Sequence, residues 1–122
     1  MKSVYIAGPY TDPRGEWYVQ QNIQDAAELA ANLWTMGLAP LCPHLNTAHF
    51  GGVVSYDTFL KGDFALIRGL DAVVMMPTWK RSNGARQEHE YARGLGKPIF
   101  YWPKDADALR QYAARDLLAE VL

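Results

Sequence analysis

The segment Asp71-Ala-Val-Val-Met-Met76 constrains the fold more than any other, because it runs apolar without interruption from an aspartate to Pro77. A strand with one wet face alternates apolar and polar residues, whereas an unbroken apolar run suits a strand covered on both faces of a parallel sheet. Parallel neighbours need covering crossovers, and the rest of the chain supplies them. Val4–Ala7 reads as a buried strand ending at Gly8-Pro9, Leu38–Cys42 as a second closed by Pro43, and Ile99–Trp102 as a fourth after Gly96-Lys97-Pro98. Between Trp17 and Met36, Ile23, Ala26, Ala27, Ala30, Leu33 and Trp34 recur at helical steps, with Gly37 as the stop. Tyr56–Leu70 carries Phe59, Leu60, Phe64 and Ile67 at the same spacing, although Gly62 weakens a helix there by about 1 kcal/mol. Gly84–Leu95 and Asp105–Leu118 complete a βαβαβαβα order.

This order predicts a single-domain α/β fold over residues 1–122, a doubly wound (flavodoxin/Rossmann-like) parallel sheet of four to five strands with helices on both faces. Ligands of such sheets bind beyond the carboxyl ends of the strands, so the loops after the first three strands and the edge of Tyr56–Leu70 are the expected cleft. The net charge of −1, with acidic and basic residues interleaved, provides no basic stripe for a nucleic-acid polymer and favours a small-molecule ligand. The first ten residues hold only a short apolar run, and the expected location is the cytoplasm with no membrane association.

Several residues in the expected cleft invite chemistry. Glu88 lies early in the helix after Ser82-Asn83-Gly84, where free amides and the helix dipole favour an ionised carboxylate, a candidate nucleophile. Alternatively, Glu88 or Glu90 complements the dipole on a solvated face. Asp63, within an apolar helical pattern, points either to water or into a cleft. Asp71 reads as a strand-entry cap rather than a site residue. Gly8-Pro9-Tyr10-Thr11 lacks the dinucleotide fingerprint, and no serine occupies a nucleophile elbow. The single cysteine, Cys42, reads as a buried core thiol. With His44 and His49 it has no fourth metal ligand nearby, so no metal is expected, and His44 instead lines the cleft.

Three pieces in order, Tyr5-Ile-Ala-Gly-Pro-Tyr10, Asp63 eight residues before Asp71, and Ser82-Asn-Gly84-Ala-Arg-Gln-Glu88-His-Glu-Tyr-Ala92-Arg-Gly-Leu-Gly-Lys97-Pro98, resemble the nucleoside 2-deoxyribosyltransferase superfamily over nearly the whole chain. The Pro43-His44 pair resembles an uncharacterised bacterial and phage branch of it. The resemblance implies that Glu88 is the nucleophile, Asp63 the acid that assists departure of the base, and Tyr5 the residue that orients the nucleophile. It places Gly8, Pro9, Tyr10, His44, Ser82, Asn83 and Gly84 around a nucleoside or nucleotide. It also implies cleavage or transfer at the N-glycosidic bond through a covalent glycosyl-Glu88 intermediate, no cofactor, and a homo-oligomer whose neighbour completes the cleft. Ser82 stands where the superfamily's 5′-monophosphate hydrolases have a serine and its nucleoside transferases an aspartate. The Pro9–Arg14 loop, by contrast, departs from the Ser-x-Arg-Gly-Gly loop of those hydrolases. Two other readings stand beside this one: a non-catalytic nucleotide-sensing domain on the same fold, and an interaction module anchored by Trp17, Tyr18, Trp79 and Trp102.

Overall fold

A computed structural model describes residues 1–121. The elements follow as β1 (Ser3–Ala7), α1 (Glu16–Thr35), β2 (Ala39–Leu41), α2 (Pro43–Asn46), α3 (Tyr56–Gly69), β3 (Ala72–Met75), α4 (Asn83–Gly94), β4 (Ile99–Tyr101) and α5 (Ala106–Val121). The four strands form one sheet in the order β2-β1-β3-β4. Every pairing is parallel, with Val4 opposite Pro40 on one side and Ala72 on the other, and Val73 opposite Ile99. The central strands β1 and β3 are buried along their length, as the unbroken apolar run requires.

Strand side chains alternate between faces, and the two faces of this sheet pack against different helices. Val4, Ile6 and Val74 join Ala26, Leu29, Ala30 and Leu33 of α1 and Leu109 and Ala113 of α5 in one apolar cluster. Tyr5, Ala7, Val73 and Met75 join Ile67 of α3 and Ala85 and Ala92 of α4 in the other. Each fully buried branched aliphatic contributes about 1.5–3 kcal/mol relative to exposure, so both faces hold the sheet. No helix among the described residues is long and apolar enough to cross a membrane.

Local signals account for most boundaries. Gly37 takes φ 87° just after α1, the left-handed stop expected there. Ser55 caps α3 by accepting the Thr58 N–H at 3.2 Å, and Ser82 caps α4 by accepting the Ala85 N–H at 3.1 Å. Asp71 accepts the Ser3 N–H at 2.8 Å and so ties the entries of β3 and β1 together. Lys97 donates to the carbonyls of Arg68 (3.0 Å) and Leu70 (2.7 Å), binding the end of α3 to the turn before β4.

Two elements depart from the sequence reading. The loop after β2 opens with α2, because Pro43 both ends the strand and occupies the first helical turn, where its missing N–H costs nothing. The segment before α4 contains a 3-10 turn over Trp79–Arg81.

Candidate active site

Glu88 is the sixth residue of α4, past the first turn, and only 6% exposed. The reading of an ionised carboxylate at free helix amides is therefore corrected. Those amides belong to the first turn, and Ser82 already takes the Ala85 N–H. Burial decides instead: withdrawal from water pushes the Glu88 carboxyl up to about 8, with Asp63 adding to the rise and the Tyr5 hydroxyl opposing it. The solvated-face reading fits Glu90, which pairs with Arg93 at 2.8 Å, and not Glu88.

Tyr5 reaches Glu88 across the core. Its position on β1 turns it toward α3 and α4, and its hydroxyl donates to Glu88 Oε2. The phenol is held far above its ordinary range, first by burial and then by Glu88 and Asp63, so it remains a donor. Asp63, half-buried on α3, is also raised by burial, while contacts with Glu88 and Tyr5 pull it back. Phe64 stacks on Tyr91 with ring centroids 4.2 Å apart and planes 6° apart, which clamps α3 to α4 and holds Asp63 beside Glu88. Interacting carboxyls titrate as a pair, so a proton released by one can be held by the other.

The cluster opens into a cavity of about 310 Å³. Tyr5, Asp63, Glu88, Gly8, Tyr10, His44 and Gly84 line it. Gly8 is required where it stands, since an added Cβ would come within 2.8 Å of the Met76 Cβ. At Gly84 a Cβ would lie 2.9 Å from the Tyr56 hydroxyl, so glycine lets the α3 end close over the start of α4. His44, 4% exposed, donates from Nε2 to the Pro9 carbonyl at 3.0 Å, and burial lowers the pKa of its ring. It thereby fastens the loop after β1 to α2. The Cys42 thiol is buried, and burial raises its pKa.

A family model described as "Domain of unknown function (DUF4406)" matches residues 2–101. The chain belongs to that family. No curated protein matches it. Among solved structures, the DUF4406 chain is similar to a 2-desoxiribosyltransferase from Leishmania mexicana, at 21% identity and a TM-score of 0.61, over 83% of this chain and 63% of that one. It is likewise similar to a 2-deoxyribosyltransferase from the psychrotolerant bacterium Bacillus psychrosaccharolyticus, at 17% identity and a TM-score of 0.61, over 81% of this chain and 70% of that one. The DUF4406 chain thus has the fold of the 2-deoxyribosyltransferases and spans less than two thirds of the first of them.

Three expected binding residues lie outside the cavity lining. Ser82 is engaged as the helix cap, Asn83 Oδ1 accepts from Arg86 at 3.4 Å, and Pro9 offers its carbonyl to His44. The loop after β3, expected in the cleft, contributes nothing to this lining, because the 3-10 turn folds Trp79 against His89 at 4.3 Å. Its place is taken by a wall from the long loop and α3 that the sequence reading did not name by residue: Thr47, Phe50, Val54, Tyr56, Phe59 and Leu60. The available signal was the run of large apolar residues in a segment otherwise rich in glycine. Of the aromatics weighed as interface anchors, Trp17 is 68% exposed, whereas Trp102 packs on the core and Trp79 on His89.

Proposed function

We propose that this protein cleaves or exchanges the N-glycosidic bond of a (deoxy)nucleoside or nucleoside 5′-monophosphate through a covalent glycosyl-Glu88 intermediate. The observation that carries the reading is a buried carboxylate held by the Tyr5 hydroxyl, with a second carboxyl beside it, at the wall of a nucleoside-sized cavity. The likeness of fold to two 2-deoxyribosyltransferases supports it.

In this reading Glu88 attacks the anomeric carbon through an oxocarbenium-like transition state, as in retaining glycosidases. Tyr5 fixes the attacking oxygen's partner and lowers the cost of ionising Glu88 in a dry site. As Glu88 attacks, the proton it holds at rest passes to Asp63, which delivers it to the departing base, directly or by a relay. Water or a second base then releases the sugar from Glu88. The aromatic and aliphatic wall receives the base and keeps water from the nucleophile until departure. No step calls for a metal or organic cofactor.

A homo-oligomer is part of the proposal. Leu45, Phe50, Val53, Val54 and Tyr56 are all exposed in the one segment that also walls the cavity, which suits a second copy closing the cleft.

The test is incubation of wild type and Glu88→Ala with pooled nucleosides and 5′-monophosphates, with and without an acceptor base, followed by chromatography. Wild type should release or exchange a base, and Glu88→Ala should be slower by about 10³-fold or more, the scale on which removal of an enzyme's nucleophile acts. Binding by wild type without cleavage would replace this reading with a sensing role.

A further inference from the structure

The cavity has a charge bias that glycosidic chemistry alone does not require. Among the described residues its lining includes two carboxyl groups, Asp63 and Glu88, and neither lysine nor arginine. Its histidine, His44, is buried, which disfavours a charged ring, and already donates to the Pro9 carbonyl. Aromatic rings supply much of the remaining surface: Tyr5, Tyr10, Phe50, Tyr56 and Phe59.

Cations flanking the lining in sequence are directed elsewhere. Arg14 grips Asp12 through Nε and Nη2 at 2.9 and 2.7 Å, and its guanidinium carbon lies 3.8 Å from the centre of the Tyr18 ring. Arg86 donates to the Lys80 carbonyl at 2.7 Å. The Ser82 hydroxyl, the group that most suggested a phosphate, accepts the Ala85 N–H as the helix cap and lies outside the cavity lining.

A phosphate entering this cavity would lose hydration, meet no cation in the lining, and face a carboxyl pair that shares a proton and carries negative charge as either member ionises. A positively charged base would gain from the ring faces and would favour ionisation of the carboxyl pair. Building on the N-glycoside reading above, we propose that the site selects its substrate by charge, rejecting 5′-phosphates and taking nucleosides with a cationic base, an N7-alkylated purine or a pyridinium, ahead of neutral ones. A cationic base also changes what the bond-breaking step demands. As a Glu88 oxygen bonds to C1′, the C1′–N electron pair leaves with the base and cancels its positive charge, so no proton is drawn from Asp63.

The experiment is calorimetric titration of wild type with deoxyguanosine, its 5′-monophosphate and 7-methyldeoxyguanosine, at low and high salt, with base release followed by chromatography in the same samples. The cation should bind at least about tenfold tighter than the neutral nucleoside, and the monophosphate at least about tenfold weaker, with both gaps narrowing as salt screens them. Thr11→Arg, an exposed position on the cavity wall, should recover about tenfold in monophosphate affinity, a gain that a misfolded variant does not produce. A monophosphate that binds as well as the nucleoside, a cation with no advantage, or no binding of any of the three overturns the proposal. The expected order of binding without base release from any ligand keeps the charge selection and defeats the glycosidic reading instead.

Discussion

Val4, Tyr5 and Ile6 are neighbours on β1 and all are fully buried, yet they serve opposite sides of the sheet. Val4 and Ile6 enter a largely aliphatic cluster closed by α1 and α5. Tyr5 enters the α3 and α4 side, where its hydroxyl meets Glu88 and where Gly8, Gly84 and the carboxyl pair leave a cavity instead of a filled core. Equal burial thus has two meanings. One face stabilises by excluding water, while the other spends part of that stability on holding titratable groups out of water. Sites are built where the second kind of burial has the first behind it.

The contrast can be broken from either side. The largest change in stability is expected on the closed face: Leu33→Ala should lower unfolding free energy by about 2–5 kcal/mol in denaturant titrations, while turnover per folded molecule stays near wild type. A loss of turnover larger than the loss of folded protein would show that the faces are not independent.

The next effect lies in the pH dependence of stability. The Glu88 carboxyl is raised in the folded chain, to about 8 from an ordinary value of 4.5, so the folded state holds the extra proton between those values. Its contribution is complete below about pH 4.5 and is lost as pH rises through about 8, by several kcal/mol as an order of magnitude. Glu88→Gln lacks that loss and should become the more stable protein, relative to wild type, as pH climbs across this window. Parallel melting curves for the two proteins at every pH would remove burial as the cause.

A smaller effect is expected from Tyr5→Phe, which keeps the ring in the core and removes the donor that favours ionised Glu88. The acidic limb of the activity profile should move to higher pH, with kcat/KM at neutral pH down by roughly 10- to 100-fold. An unshifted profile would reduce Tyr5 to packing. Smallest of all, Ser82→Ala should cost about 1 kcal/mol of stability through the lost cap of α4, without a selective loss of phosphorylated ligands. A selective loss would return Ser82 to the binding site.

Elements with strong local signals were legible in advance. The unbroken run at Ala72–Met76 implied a doubly covered strand, and the alternation of strands with amphipathic segments implied a parallel sheet wrapped on both faces; β1 and β3 and their helices follow. Less legible were short pieces whose cues point two ways. Pro43 ends a strand as readily as it begins a helix, and Trp79–Arg81 carries no periodicity in three residues. At the site, Glu88 and Asp63 stood out only as acidic residues in an expected cleft, and their roles and that of Tyr5 came from the resemblance; Phe50, Val54, Tyr56 and Phe59 were not named, because a cavity wall is assembled from residues that share no local pattern.

By itself the sequence determined what depends on near neighbours: where helices start and stop, which strands are buried on both faces, and the class of sheet these pieces can make. Hydrogen-bond geometry and side-chain periodicity act over a few residues, so they are written locally. Only the tertiary structure decided the ionisation of Glu88. A carboxyl at that position reads from the chain as a helix-end anion, and it becomes a raised, proton-holding group because the packed core withdraws it from water and Asp63 on another helix adds to the rise, against the opposing hydrogen bond from Tyr5, 83 residues away. Desolvation is a property of everything packed around a group, and no stretch of sequence contains it.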